Sequence, residues 1–265
     1  MGILLKMAQK NKLVWLFSGT SDGNQIAKDL ISENFRIKVF VASQYGMSVA
    51  SKVLPENVIE IGRLTEKEIF KRGQIENPHQ VIDATHPFAL EISRNLMSFC
   101  KENGTPYIRY ERPEEEFVGE NIYYVESIQA AADKARTLGE NILLTLGSKN
   151  IDPFLGEGLK ERVFIRMLPD PQLIQQLLSK GVAPDRIIAI QGPFSIAFNH
   201  AMIDDRGIDC LVTKSSGKEG GVPEKIAAAE KNGCSVIIVK RPEIDYPLLF
   251  NNRDDLKKHV TQNHH

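Results

Sequence analysis

The sequence predicts an α/β protein built as two parallel-sheet halves with a cleft between them, and three observations predict it. Short β-rich runs alternate with helical patterns from residue 13 to residue 239, which is what parallel sheets covered by helices require. The chain has 265 residues, enough for two cores of ordinary size. A strand running into a glycine turn occurs in both halves, as "LVWLFSGTSDG" from residue 13 and "LLTLGSKNIDPF" from residue 143. The boundaries expected are 1–120 for the N-terminal domain and 121–265 for the C-terminal one.

In chain order, strands are expected at 13–17, 37–42, 57–61, 80–84, 106–110 and 122–125. Between them lie helices with readable ends. Ile26, Ala27, Leu30 and Ile31 form an apolar face before Asn34, Thr65 and Glu68 form a capping box, and Ala89, Ile92, Leu96, Phe99 and Cys100 form a second face before Gly104. The charged stretch 111–124 is the expected crossing between halves. In the second half, strands are expected at 141–146, 163–167, 187–190, 209–213 and 235–239. Asp170 and Pro171 are a cap and first-turn pair, and Pro223 takes the same first-turn position before Ile226 and Ala227.

The composition excludes several function classes. A formal net charge of -1 gives no global field to gather nucleic acid or an anionic membrane, so an anionic ligand must meet basic groups placed locally. Cys100, Cys210 and Cys234 have no paired spacing, which fits buried thiols in a reducing compartment rather than a zinc site. The first twelve residues lack the apolar core of a signal peptide. No run approaches the roughly 18 apolar residues of a membrane span. These features predict a soluble, cytoplasmic protein that binds no metal, nucleic acid or membrane. His264 and His265 are read as the remnant of a tag.

Ligands of open parallel sheets bind beyond the carboxyl ends of the strands. Those positions carry "SGTSDG", "SQYG", "ATHPFA", "GSKN", "QGPFS" and "TKSSGKEGG", a set rich in hydroxyls, glycines and single basic or amide groups that suits a polar, multiply charged ligand. In the first loop, Gly19 and Gly23 let the backbone approach a ligand and the helix N-terminus attracts anions, although the spacing is not G-x-G-x-x-G. The second strand ends in Ser43-Gln44-Tyr45, without the carboxylate that holds the ribose of NAD. His86, between Thr85 and Pro87, reads either as a donor or acid with a tunable pKa or as a histidine packed in a proline turn. His79 and His200 read as packing residues. The loop around Lys214 and Lys218 suits a carboxylate or phosphate.

Taken in order, "GTSDG", "DATHPFA", "GTPYIRYERP", "LTLGSKN", "QGPFS" and "LVTKSSGKEGG" resemble the precorrin-6A reductase family of cobalamin biosynthesis, including its cobalt-precorrin-6A form. The resemblance spans residue 13 to about residue 242. It implies two Rossmann-like halves, with NADPH or NADH giving a hydride to a conjugated double bond of the macrocycle and a proton reaching the adjacent carbon. The expected cofactor contacts are Gly19, Thr20, Ser21, Asp22, Gly23, Ser43, Thr85, Gly147, Ser148 and Lys149. The expected contacts to the many carboxylates of the tetrapyrrole are Arg109, Arg166, Gln191, Thr213, Lys214, Ser215, Ser216, Gly217, Lys218 and Arg241. Family members often carry an acid or amide after the lysine of the "TK" segment, where this chain has Ser215; the proton donor is left among His86, Tyr45, Lys214 and solvent. The partners implied are the tetrapyrrole and transient contacts with neighbouring pathway enzymes. A non-catalytic tetrapyrrole-binding or handover protein on the same fold is the alternative.

Overall fold

A computed structural model describes residues 12–147 and 150–262. Of the N-terminal stretch read above as lacking the apolar core of a signal peptide, residues 1–11 lie outside the described residues, as do Ser148, Lys149 and the terminal histidines. The chain divides into two units. The first takes the chain up to Pro113 and again from Glu243, and the second is Glu114–Pro242.

The first unit begins β1 (Leu13–Ser18), α1 (Ser21–Ser32), β2 (Arg36–Val41), α2 (Gln44–Ala50), β3 (Ile59–Ile61), α3 (Glu66–Glu76), β4 (Gln80–Ala84), α4 (Leu90–Asn103) and β5 (Tyr107–Tyr110). The second unit follows as β6 (Ile122–Val125), α5 (Ile128–Leu138), β7 (Ile142–Leu144), β8 (Val163–Met167), α6 (Pro171–Ser179), β9 (Ile187–Ala189), α7 (Ile196–Asp205), β10 (Cys210–Lys214), α8 (Val222–Lys231) and β11 (Ser235–Val239). The chain then returns to the first unit with β12 (Leu249–Phe250) and α9 (Arg253–Gln262). The expected division at 120/121 therefore shifts: residues 243–262 belong with the first unit, because β12 pairs with β5 and Leu256 and Val260 of α9 join that unit's core.

Both sheets have six strands in which every pairing is parallel, in the orders β3-β2-β1-β4-β5-β12 and β9-β8-β7-β10-β11-β6. The first is the doubly wound order 3-2-1-4-5-6, with its sixth place filled from the far end of the chain. In the second, five strands repeat that order and the sixth place is filled by β6, the strand that directly follows the first unit. The two sheets have thus exchanged their sixth strands. Both crossings are Arg-Pro steps, at Arg112-Pro113 and Arg241-Pro242.

Burial on both faces explains why β1 reads as a continuous apolar run rather than an alternating one. Val14 and Leu16 pack with Ile26, Leu30 and Val260 on one face, while Leu13, Trp15 and Phe17 pack with Ile69, Leu96 and Phe99 on the other. Helix ends follow the capping chemistry of the sequence. Thr65 and Glu68 form the expected box, Asp170 accepts from the N–H groups of Gln172 and Leu173, and Asn34 takes a left-handed φ of 62° just after α1. Two expected strands are shorter than expected, β3 because a 3₁₀ turn occupies Glu56–Val58 and β7 because regular pairing stops at Leu144.

The ends of β4 and β5 are tied by a buried ion pair. Asp83 and Arg109 have fully buried side chains 2.8 Å apart. The Asp83 carboxylate also accepts from the Thr85 N–H at 3.0 Å, the Thr85 hydroxyl at 2.6 Å and the Tyr107 hydroxyl at 2.8 Å. Arg109 donates further to Glu111 through Nε and Nη2, and its guanidinium lies 5.2 Å from the centroid of the Tyr246 ring. Both carboxylate oxygens of Asp83 thus accept hydrogen bonds, three at Oδ1 and one at Oδ2, which is what lets a carboxylate leave water. Arg109→Met should lower unfolding free energy by about 3–5 kcal/mol, because it strands Asp83 as an uncompensated buried charge; urea unfolding measures it, and a loss under about 1 kcal/mol would contradict this account.

Candidate functional site

In each sheet the strand order reverses beside its central strand, at β1/β4 and at β7/β10, and the turns beyond the carboxyl ends of such strands are where open parallel sheets bind ligands. In the first unit the β1–α1 turn meets the turn after β4. A Cβ on Gly19 would lie 3.1 Å from the His86 amide nitrogen and 3.3 Å from Thr85 Cα, and one on Gly23 would lie 2.6 Å from Ser18 Oγ. Both glycines therefore serve close approach within the protein: Gly19 lets the two turns touch, and Gly23 lets α1 sit against the end of β1. Gly19 and Ser21 are nevertheless exposed and Thr20 half-buried. Thr20 caps α1, its hydroxyl oxygen accepting from Gly23 N–H at 3.2 Å.

Asp22 is buried, and Arg112 grips both of its oxygens, with Nη2 to Oδ1 at 2.6 Å and Nε to Oδ2. The carboxylate inside the turn is thereby neutralised. Thr85 turns its hydroxyl inward, donating to Asp83 and accepting from Arg109 at 3.2 Å, so that group is occupied. Arg109 differs most from the expectation of a ligand contact: its guanidinium is fully buried and held by Asp83 and Glu111. His86 is half-buried at the edge, and its Nδ1 accepts from the Phe88 N–H at 3.2 Å, which assigns the proton of the neutral ring to Nε2. Ser43 caps α2 by accepting from Gly46 N–H, and Tyr45, in the first turn of that helix, is exposed.

The edge of the second unit carries the other expected residues. Gly147 follows β7 with φ 76°, and its companions Ser148 and Lys149 are outside the described residues. Gln191 is exposed after β9. At the end of β8, Arg166 is buried; Nη1 donates to Asn199 Oδ1 at 2.7 Å, and the guanidinium lies 4.8 Å from the centroid of the Phe194 ring. Thr213 is fully buried and accepts from Lys225 Nζ at 3.3 Å. Lys214 closes β10, and burial depresses its pKa to about 8. Ser215 is buried, with its carbonyl accepting from Arg241 Nε at 2.9 Å. Ser216 and Gly217 are half-buried and Lys218 is exposed. Arg112 and Arg241, the two crossing arginines, each brace a ligand-edge turn of their own unit.

Sequence reasoning missed Asp83, Glu111, Tyr246, Asn199 and Lys225. Asp83 had a signal, since a carboxylate within the apolar strand QVIDA demands a buried partner. Lys225 had none, because it sits in an ordinary helical pattern. His200 pairs with Asn232 at 2.8 Å. Burial pushes the thiols of Cys100 and Cys234 up to about 12, which suits packing and not reactivity. Among the described residues no group of three or more His, Cys, Asp or Glu could hold a metal ion, and no helix is long and apolar enough to cross a membrane.

Comparison with known proteins bears on this edge. The family described as "Precorrin-6x reductase CbiJ/CobK" matches residues 13–261. The cobalt-precorrin-6A reductase of Methanococcus maripaludis is 37% identical over 243 residues, covering 89% of this chain and 94% of that protein. The protein of the same name from Priestia megaterium is 32% identical over 92% of this chain and 96% of its own. A solved CobK precorrin-6A reductase superposes with a TM-score of 0.75 over 95% of this chain and 96% of that one at 21% identity, a likeness of fold. With a family match over nearly the whole chain and relatives above 30% identity along most of their length, this chain belongs to the precorrin-6x reductase family.

Proposed function

We propose that this protein reduces one ring double bond of precorrin-6A, or of its cobalt form, with hydride from NADPH or NADH, as a cytoplasmic step of cobalamin biosynthesis. The observation that carries the reading is the 37% identity to a cobalt-precorrin-6A reductase over 89% of this chain. The nicotinamide supplies the hydride when bound, and the protein's share is binding, alignment and proton supply.

The β1–α1 turn fits a dinucleotide. Arg112 cancels the charge of Asp22, so the N-terminus of α1 can accept phosphate oxygens without a bare carboxylate opposing them. Gly19, Thr20 and Ser21 are the residues assigned to that contact. The hydroxyl and amide groups Ser43 and Gln44 after β2 do not distinguish the two nicotinamide cofactors. His86 is assigned the reacting edge. Protonating Nδ1 displaces the Phe88 N–H, so the ring holds its proton on Nε2 and presents it from there. Tyr45 and Lys214 are the other candidates for proton supply. The basic and hydroxyl groups after β10 suit the carboxylates of the macrocycle.

Anaerobic incubation with each substrate form and each cofactor tests the activity. Loss of the substrate spectrum with oxidation of NAD(P)H is expected, and an unchanged spectrum in all four combinations overturns the reading. Gly19→Ala and Gly23→Ala should each weaken cofactor binding and cost about 1–3 kcal/mol of stability, because the added Cβ must displace His86 or Ser18. NADPH fluorescence titration beside urea unfolding measures both, and unaltered cofactor affinity in the two variants removes the assignment. His86→Ala should slow turnover by about 100-fold or more while NADPH affinity stays within about twofold. A near-normal rate in that variant would pass the proton to another group.

A further inference from the structure

The two units treat their buried cations differently. In the first unit the buried Arg109 meets Asp83 and Glu111, and the half-buried Arg112 meets the buried Asp22. In the second, Arg166 and Lys225 are 7% and 8% exposed, and among the described residues neither has an ion pair. Arg166 has Asn199 Oδ1, the Met202 sulfur at 3.9 Å and the Phe194 ring; Lys225 has Thr213 Oγ1. Isolated charges are costly to bury, and proteins ordinarily pair them.

Their location is the ligand edge. Arg166 continues the sheet face of Phe164, and Thr213 that of Leu211, both on the side covered by α7 and α8. Lys225 reaches Thr213 from the first turns of α8. The loop entering that helix, from Gly217 at φ 66° to Gly221 at φ 64°, passes close to Pro193: a Cβ on Gly221 would lie 3.7 Å from Pro193 Cβ. Phe194, over Arg166, belongs to the same Pro193 turn. Three strand-end segments therefore converge over two buried basic groups that have no ion pair among the described residues. The charged groups facing Lys225 are Arg166 from β8 and Glu224 from its own helix. Glu224 Oε2 is buried with no hydrogen-bond donor, and its charge offsets that of Lys225 only in part, since the net displacement of the Lys225 pKa is downward.

We infer that Lys225 and Arg166, with Thr213 and the N-terminus of α8, form a binding site in the second unit for one anionic oxygen group, either a phosphate of the dinucleotide or a carboxylate of the tetrapyrrole. The two ligand sources come from the reductase reading, whereas the charge argument stands without it. Lys225 is built to respond to such a group. Burial and the neighbouring Arg166 hold its pKa down to about 7, so near pH 8 the empty site has a largely neutral amine, and an arriving anion draws a proton onto it.

Binding to the full chain tests the site without turnover. NADPH and pyrophosphate are the phosphate probes, and uroporphyrin is the carboxylate probe. Lys225→Met should weaken one class by about 10- to 100-fold and leave the other within about twofold, and the weakened class names the source. A folded Lys225→Met that binds all three probes normally overturns the inference. Lys225→Arg keeps the charge and serves if the first variant fails to fold. It should bind within about threefold of the parent, but lose the proton uptake that calorimetry in buffers of different ionisation enthalpy reads at pH 8. No uptake by the parent, or equal uptake by Lys225→Arg, overturns the inference even if the enzyme turns over.

Discussion

The ion pair between Asp83 and Arg109 is the constraint on which the ligand edge of the first unit depends. One carboxylate receives the Thr85 amide and hydroxyl, the Tyr107 hydroxyl and the Arg109 guanidinium, and so fixes the direction in which the chain leaves β4. That exit carries His86 and supplies the backbone against which Gly19 rests. The same arginine reaches Glu111 and the face of Tyr246, coupling the turn to a segment more than a hundred residues later in the chain. Removing two charges from water has no justification in stability alone. Its return here is geometric, since four donors converging on one carboxylate hold the β4 turn in place.

Charge placement separates the units by chemistry. The first pairs the buried Arg109 with Asp83 and Glu111, and Arg112 with Asp22. The second leaves Arg166 and Lys225 without an ion pair among the described residues, and burial with the neighbouring Arg166 holds the Lys225 pKa down to about 7. On the site proposed above, a chain of net charge -1 would recognise an anion through a few desolvated groups and not through the sum over the surface.

Much of the architecture was legible in the sequence. Strands 80–84, 163–167 and 235–239 and the caps at Thr65 and Asp170 stand as read, because continuous apolar runs and capping residues act locally. The pairing of Arg109 was not legible, because a basic residue at a strand end resembles a ligand contact until its partner is known, and Asp83 is 26 positions away. Strand β12 was missed for a related reason. Two residues carry no periodicity, and they are a strand only because β5 offers them an edge through Leu248 and Phe250. Lys225 was invisible because a single buried lysine does not disturb an amphipathic pattern.

The exchanged sixth strands impose an order on synthesis. A nascent chain that has emerged as far as Pro242 contains all six strands of the second sheet and only five of the first. Until Leu249 and Phe250 arrive, β5 is an open parallel edge, the kind of surface that invites pairing with another chain. The first unit to begin is therefore the last to be sealed, and the closing piece is a two-residue strand whose flanking Tyr246 also covers Arg109. Loss of residues 243–262 would thereby open a sheet whose other five strands lie before Glu111.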